Sequence, residues 1–214
     1  MTHQDVDGQV PSDDLVWYAS YGSNLSLGRF TRYILGDKRH RGARDRSLPR
    51  AQRKLLLDAT LFFGGHSTVW GGGGIAYIDP DDASDRPTLA RAYLIARSQF
   101  EDVCCQENGV TDQLLELARL GRHEEEAVLD GPYGRVMLTG HMEGVPILTF
   151  TSPVRLGDMA LARPSPAYLR VIAAGLSETF EFSVRDAARY LSSKPGIAGQ
   201  YSLDELMRCL SPTS

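Results

Sequence analysis

The sequence predicts an α+β protein: a small mixed or antiparallel sheet curled into a β-barrel, flanked by α-helices, with extra helices at the C-terminal end. Three observations carry that expectation. Short segments with strand-like alternation recur from Leu15 to Thr151, helical spacing dominates after Ser165, and helix caps stand at the boundaries where the pattern changes. Residues 1–14 read as a disordered polar tail, 15–182 as the barrel domain, and 183–214 as a helical extension packed on the same domain.

The elements follow in order. Leu15 to Tyr21 is rich in aromatic and β-favouring residues and stops at Gly22-Ser23-Asn24; Leu27, Phe30, Ile34 and Leu35 then recur at helical spacing. The layout is strand, small-residue turn, helix. Asp37 to Lys54 carries eight Lys or Arg and no periodicity, which predicts an exposed loop, either merely solvated or a guide for an acidic partner. Leu55 to Phe63 and Gly73 to Ile78 read as strands. The four glycines Gly71 to Gly74 between them lack the Lys-Ser or Lys-Thr and the following helix of a phosphate loop, so they predict close approach of a neighbouring backbone.

Thr88 to Ala96 is a further strand, and Ser98-Gln99-Phe100-Glu101 has the form of a capping box, which predicts a helix from Gln99 to the stop at Gly109. On it, Phe100, Val103, Cys104 and Glu107 share one face. A carboxylate in line with an apolar stripe needs a reason, because burying its charge is costly unless it is paired or neutralised. Both a functional role and a structural hydrogen bond stand open for Glu107, whereas Glu101, Asp102, Glu116 and Glu124 to Glu126 read as a solvated face. Leu114 to Leu120 reads as helix, and Arg135 to Thr151 as a hairpin turning at Glu143-Gly144. Ser165 with Pro166, Ser183 with Asp186 and Ser202 with Glu205 predict the starts of three C-terminal helices.

Composition narrows the function. At 214 residues, 42% hydrophobic and with a net charge of −4, the chain has no bulk attraction for nucleic acid or an anionic membrane, and it shows no apolar run of spanning length. Three cysteines, two of them adjacent, suit a reducing compartment, and the protein is expected to be cytoplasmic. The histidines are scattered singly, so no metal site is expected; no Rossmann glycine motif is present, so no nicotinamide cofactor is implied, and no cofactor of any kind is expected. Ser23 lacks a nucleophile elbow. Cys104 or Cys105 as the nucleophile of an amidase or acyltransferase is a further alternative.

Together, "YASYGSNL", "WGGGGIAYIDP", a strand leading into "QENG", and "PSPAYLRVIAAG" resemble successive landmarks of the gamma-glutamylcyclotransferase-like family over roughly residues 15 to 180. The resemblance implies a small barrel and an enzyme that releases an amine or amino acid from a γ-glutamyl amide as the glutamyl part closes to 5-oxoproline. Glu107 would be the general acid/base, a carboxyl group whose desolvation brings its pKa toward the operating range. The turn Tyr21, Gly22, Ser23, Asn24 and Leu25 would cradle the substrate carboxylate or the developing oxyanion with backbone N–H groups, and Phe150 would line the pocket where many relatives have a tyrosine. Here Asn108 stands between Glu107 and Gly109, where the family's pattern most often has Glu-Gly, so the carboxylate's aim is in question. The expected partners are a small γ-glutamyl molecule and, if any protein, a second copy in a homodimer; a non-catalytic binding or regulatory module on the same fold is the alternative.

Overall fold

The computed structural model describes residues 15–82, 87–110, 120 and 126–211. The helix expected over residues 114–120, the N-terminal tail, Glu116, Glu124 and Glu125 lie outside the described residues, apart from Leu120.

Eight strands and five α-helices are formed among the described residues. They are β1 (Leu15–Ser20), α1 (Leu27–Leu35), β2 (Ala51–Leu57), β3 (Thr60–Ser67), β4 (Gly73–Asp79), β5 (Thr88–Ala96), α2 (Arg97–Asn108), β6 (Glu126–Val128), β7 (Arg135–Met142), β8 (Val145–Thr151), α3 (Pro166–Phe180), α4 (Val184–Ser192) and α5 (Leu203–Leu210). Six strands build one mixed sheet in the order β2-β5-β1-β8-β7-β6, in which only β1 and β8 run parallel; β3 and β4 pair separately. The class is α+β as expected, but the sheet does not close into a barrel. The reason is visible at its edges: β6 is three residues long, and β2 carries exposed Gln52, Arg53 and Lys54, polar and charged groups that suit an unpaired edge.

The run Leu55 to Phe63 is not one strand. It breaks at Asp58-Ala59, where the chain leaves the large sheet and starts β3 against β4. The basic segment likewise ends earlier than expected, because Ala51 to Lys54 belong to β2 and pair with β5.

Alternation along β1 organises the interior. Trp17, Ala19 and Tyr21 face one core with Phe62, Phe63, Leu169, Ile172 and Leu191; Val16 and Tyr18 face another with Phe30, Tyr93, Phe100, Val103 and Phe150. Helices α1 and α2 thus cover one face and the β3–β4 hairpin with the C-terminal helices the other. Gly73 and Gly74 admit the segment before α3: a Cβ at Gly74 would stand 2.3 Å from the Ala162 carbonyl oxygen, and one at Gly73 2.7 Å from the Ser165 nitrogen. This is the close approach the glycine run predicts. The β7–β8 hairpin turns through Glu143 and Gly144 with φ of 54° and 77°, both left-handed.

Candidate functional site

Where β1 stops, Ser23 to Leu25 form a single 3₁₀ turn leading into α1. Leu25 N donates to the Gly22 carbonyl at 3.1 Å and Ser26 N to the Ser23 carbonyl at 3.2 Å, so the Leu25 N–H is consumed by the turn and is not available to a ligand, contrary to the sequence expectation. The N–H groups of Gly22, Ser23 and Asn24 meet no acceptor among the described residues.

The turn is clamped from behind through its carbonyls. Tyr93 Oη donates to Asn24 O at 2.9 Å, and Arg91 donates to Leu25 O at 2.9 Å while pairing with Glu178 Oε2 at 2.8 Å. Glu178, from α3, also accepts from Leu27 N and Ser26 Oγ at the start of α1. Gly175 lets α3 come this close, since a Cβ there would lie 2.4 Å from Leu25 Cβ and 2.5 Å from the Leu25 carbonyl carbon. With its carbonyls bonded backward, the turn keeps free donors on its other side.

Glu107 faces that side from the last turn of α2, half-buried, with Phe100, Val103 and Cys104 anchoring the rest of its stripe in the core. Asn24 Nδ2 donates to Glu107 Oε1 at 2.9 Å and to Tyr18 Oη at 3.3 Å. Burial pushes the Glu107 carboxyl above the usual glutamate range, against the opposing pull of hydrogen bonds from Tyr33 and Asn24 and the more distant charges of Arg29 and His40. Its place at a helix C-terminus, the negative end of the dipole, acts in the same direction as burial.

Two adjoining spaces lie here. A recess of about 20 Å³ is lined by Tyr18, Tyr21 to Asn24, Glu107, Tyr133, Phe150 and Tyr168, room for one water-sized group such as a carboxylate or carbonyl oxygen. Ser23, Glu107, Tyr133 and Tyr168 also line a cleft of about 410 Å³ that is bordered by Arg29, Tyr33, His40, Trp70 and Tyr77. That is the size of a small-molecule site.

Each expected residue can now be placed. Tyr21 forms a wall, its hydroxyl donating to Phe150 O at 2.7 Å. Phe150 lines the recess, stacked on Tyr18 at 5.2 Å between ring centroids. The hydroxyl that its position was expected to lack is replaced by others. Tyr168 Oη accepts from Ala76 N, Tyr133 Oη donates to Ala76 O, and both phenols border the recess. Tyr168 stood in the quoted "PSPAYL" segment, whereas Tyr133, Tyr33 and Arg29 carried no local signal in the sequence.

Asn108 does not displace the helix end. It is the last residue of α2, followed by Gly109 at φ 69°. Its amide accepts from Tyr133 N at 2.8 Å and donates to Tyr133 O at 3.1 Å, so it positions Tyr133 against the recess. The helix starts at Arg97, two residues before the expected Gln99, and Gln99 rather than Glu101 reaches back, its Oε1 accepting from Ala96 N. Asp102 is not solvated either. It is buried and accepts from Arg44 N and Arg44 Nε, so part of the basic loop serves to compensate it. Cys104 and Cys105 are buried, and burial pushes both thiols up, away from the thiolate that a nucleophile needs.

Among the described residues no three His, Cys, Asp or Glu stand close enough to hold a metal ion, and no helix is long and apolar enough to cross a membrane.

Comparison with known proteins gives a fold and a distant relative. No protein-family model matches the chain. The crystal structure of an uncharacterized human protein superimposes with a TM-score of 0.53 at 17% identity, covering 91% of this chain and 99% of that one, which shows a shared fold. A solved gamma-glutamyl cyclotransferase covers 91% of this chain and 98% of its own at a TM-score of 0.48 and 17% identity. In sequence, the chain is 34% identical over 205 residues to histone deacetylase 5 of Arabidopsis thaliana; the match takes in 84% of this chain and 31% of that protein. The chain therefore spans about a third of the length of this curated relative, and the deacetylase name belongs to that whole protein.

Proposed function

We propose that this chain is a gamma-glutamylcyclotransferase-like enzyme that cleaves a γ-glutamyl amide by intramolecular cyclisation. The observation that carries the reading is a half-buried, weakly compensated carboxyl group, Glu107, beside a recess lined by Gly22, Ser23 and Asn24, whose N–H groups meet no acceptor among the described residues. The sequence landmarks quoted above, which contain these same residues, support it as well.

The chemistry follows from the parts. The substrate's α-ammonium must lose a proton before its nitrogen can attack, and the Glu107 carboxylate takes it; a pKa raised toward that of an amine makes the transfer less uphill. The nitrogen then bonds to the γ-carbonyl carbon, and the negative charge that builds on the carbonyl oxygen is met by the N–H groups of the turn. As the tetrahedral centre collapses, the bond to the leaving nitrogen breaks, Glu107 passes its proton to that nitrogen, and the ring nitrogen gives up its second proton, so that the two protons lost by the α-ammonium end on the departing amine as an ammonium. The products are 5-oxoproline and a free amine, with no water consumed. Because the attack is intramolecular, the site has chiefly to hold the folded-back conformer, a task suited to the aromatic walls of Tyr21, Phe150, Tyr133 and Tyr168.

The test is release of 5-oxoproline from a panel of γ-glutamyl amides by the native chain and by Glu107→Gln. Release that is lost in a folded Glu107→Gln chain supports the reading. Ligand-dependent stabilisation without release from any of the panel would favour a binding module instead.

A further inference from the structure

The cleft outside Glu107 is rimmed by basic side chains. Arg29, Arg39, His40 and His66 border it, and Glu107 is the acidic residue among its lining. His40 is matched by Asp37 at 2.7 Å, and Arg39 and His66 lie in exposed positions. Arg29 differs from all three. It projects from α1, with its guanidinium carbon 5.2 Å from the ring centre of Tyr33 and 5.4 Å from that of Trp70. One terminal nitrogen donates to Tyr33 Oη at 3.1 Å, a neutral acceptor. Its Nε is shielded from solvent and has no acceptor, and no carboxylate among the described residues pairs with it.

A guanidinium fixed by two aromatic faces with an unsatisfied Nε–H has the geometry of a receptor awaiting a planar anion. Such a fork binds a carboxylate through two parallel N–H···O bonds, and the aromatic faces reduce the entropy lost on binding. The recess beside Glu107 accommodates one small group and offers the three backbone donors, which suits the reacting carbonyl or the glutamyl carboxylate. The rest of the substrate must lie in the larger cleft, where Arg29 is.

Building on the cyclotransferase reading, we propose that Arg29 is a specificity-determining residue that binds a carboxylate on the leaving group, so that the chain prefers γ-glutamyl compounds whose released amine bears a carboxylate over those releasing a simple amine. Trp70, partly buried between Arg29 and Tyr168, forms the apolar wall for the side chain beside that carboxylate.

Three compounds separate the contributions: γ-glutamylphenylalanine, its analogue γ-glutamylphenethylamide that lacks the leaving-group carboxylate, and γ-glutamylphenylalanine with the glutamyl α-carboxylate converted to an amide. Binding is measured calorimetrically on Glu107→Gln, where turnover does not interfere, and 5-oxoproline release on the native chain. The phenethylamide is expected to bind about tenfold more weakly than the dipeptide, a difference that disappears when Arg29→Gln is added and is only partly kept by Arg29→Lys. Equal or tighter binding of the phenethylamide overturns the proposal, and this comparison needs no Arg29 variant to fold. An Arg29-dependent loss confined to the α-amide compound also overturns it, since Arg29 would then hold the glutamyl carboxylate. If the carboxylate preference is present but no compound yields 5-oxoproline, the anion receptor stands and the cyclisation falls.

Discussion

Two acidic residues five positions apart on α2 have met opposite treatment. Asp102 is 2% exposed and fully answered: Arg44 N bonds one oxygen at 2.7 Å, Arg44 Nε lies 3.0 Å from both, and Arg41 stands 3.8 Å away. Glu107 has only neutral donors, the Asn24 amide at 2.9 Å and the Tyr33 hydroxyl, and no ion pair among the described residues. The first arrangement supplies the carboxylate with donors and joins the basic loop to the helix. The second leaves the carboxyl ready to exchange a proton at modest energetic cost. A charge that is left short of partners beside unoccupied backbone donors is a stronger pointer to chemistry than burial alone.

The comparison is broken most directly by neutralising each residue. Glu107→Gln is expected to lower 5-oxoproline release about 10²- to 10⁴-fold with the melting temperature held or raised, because it removes a poorly compensated charge and keeps the Asn24 contact as a hydrogen bond. Arg44→Met is expected to do the reverse, leaving turnover within about threefold while costing roughly 1–2 kcal/mol of stability by removing the guanidinium from Asp102, which keeps only the residue 44 backbone N–H and the more distant Arg41, with a fall of about 2–8 °C in the melting midpoint. If Glu107→Gln unfolds the chain, or Arg44→Met abolishes turnover in folded protein, the division between the two sites is wrong.

Next in size is Gly175→Ala. Its methyl would collide with Leu25 and Ser26 N rather than with a yielding side chain, so about 1–3 kcal/mol of stability and much of the turnover should be lost together as the turn is pushed from Glu107. A substitution that proves neutral in both would show that the turn can shift without consequence.

The pH dependence sharpens the comparison further. Since the folded Glu107 carboxyl holds its proton to higher pH than in the unfolded chain, its contribution to stability is best at low pH and is lost as pH rises from the ordinary glutamate value of about 4.3 through the raised folded value. The native chain should therefore lose stability relative to Glu107→Gln across that window, while kcat/KM rises through an acidic limb lying above about 4.3. A limb at or below the ordinary value would show that burial does not tune the group. Asn24→Ala, which removes a bond favouring the ionised form, should move that limb upward by a smaller amount. A downward move would contradict the assigned direction.

Much of this was legible in the chain itself. Helical spacing placed Glu107 in line with Phe100, Val103 and Cys104, and the strand ending at Gly22-Ser23-Asn24 marked the turn, because local periodicity and small-residue chemistry are written in neighbouring residues. The β7–β8 hairpin and the caps at Ser165, Ser183 and Ser202 were visible for the same reason. Asp102 was misread as solvated because its partner Arg44 lies 58 positions away. The closed barrel was an overreach of a similar kind. Strand patterns say which segments are extended, not whether the first and last strands of a sheet meet.

The sequence by itself determined the α+β class, the strand–turn–helix start of the fold, and the presence of one carboxyl group aligned with a buried stripe, since each depends on spacing within a few residues. Only the tertiary structure decided that α3 approaches through Gly175 to clamp the turn by its carbonyls, that Asn108 aims Tyr133 into the recess, and that Arg29 stands between Tyr33 and Trp70 with no carboxylate among the described residues paired to it. Those arrangements join parts of the chain tens of residues apart, and their energies exist only once the sheet has brought them together.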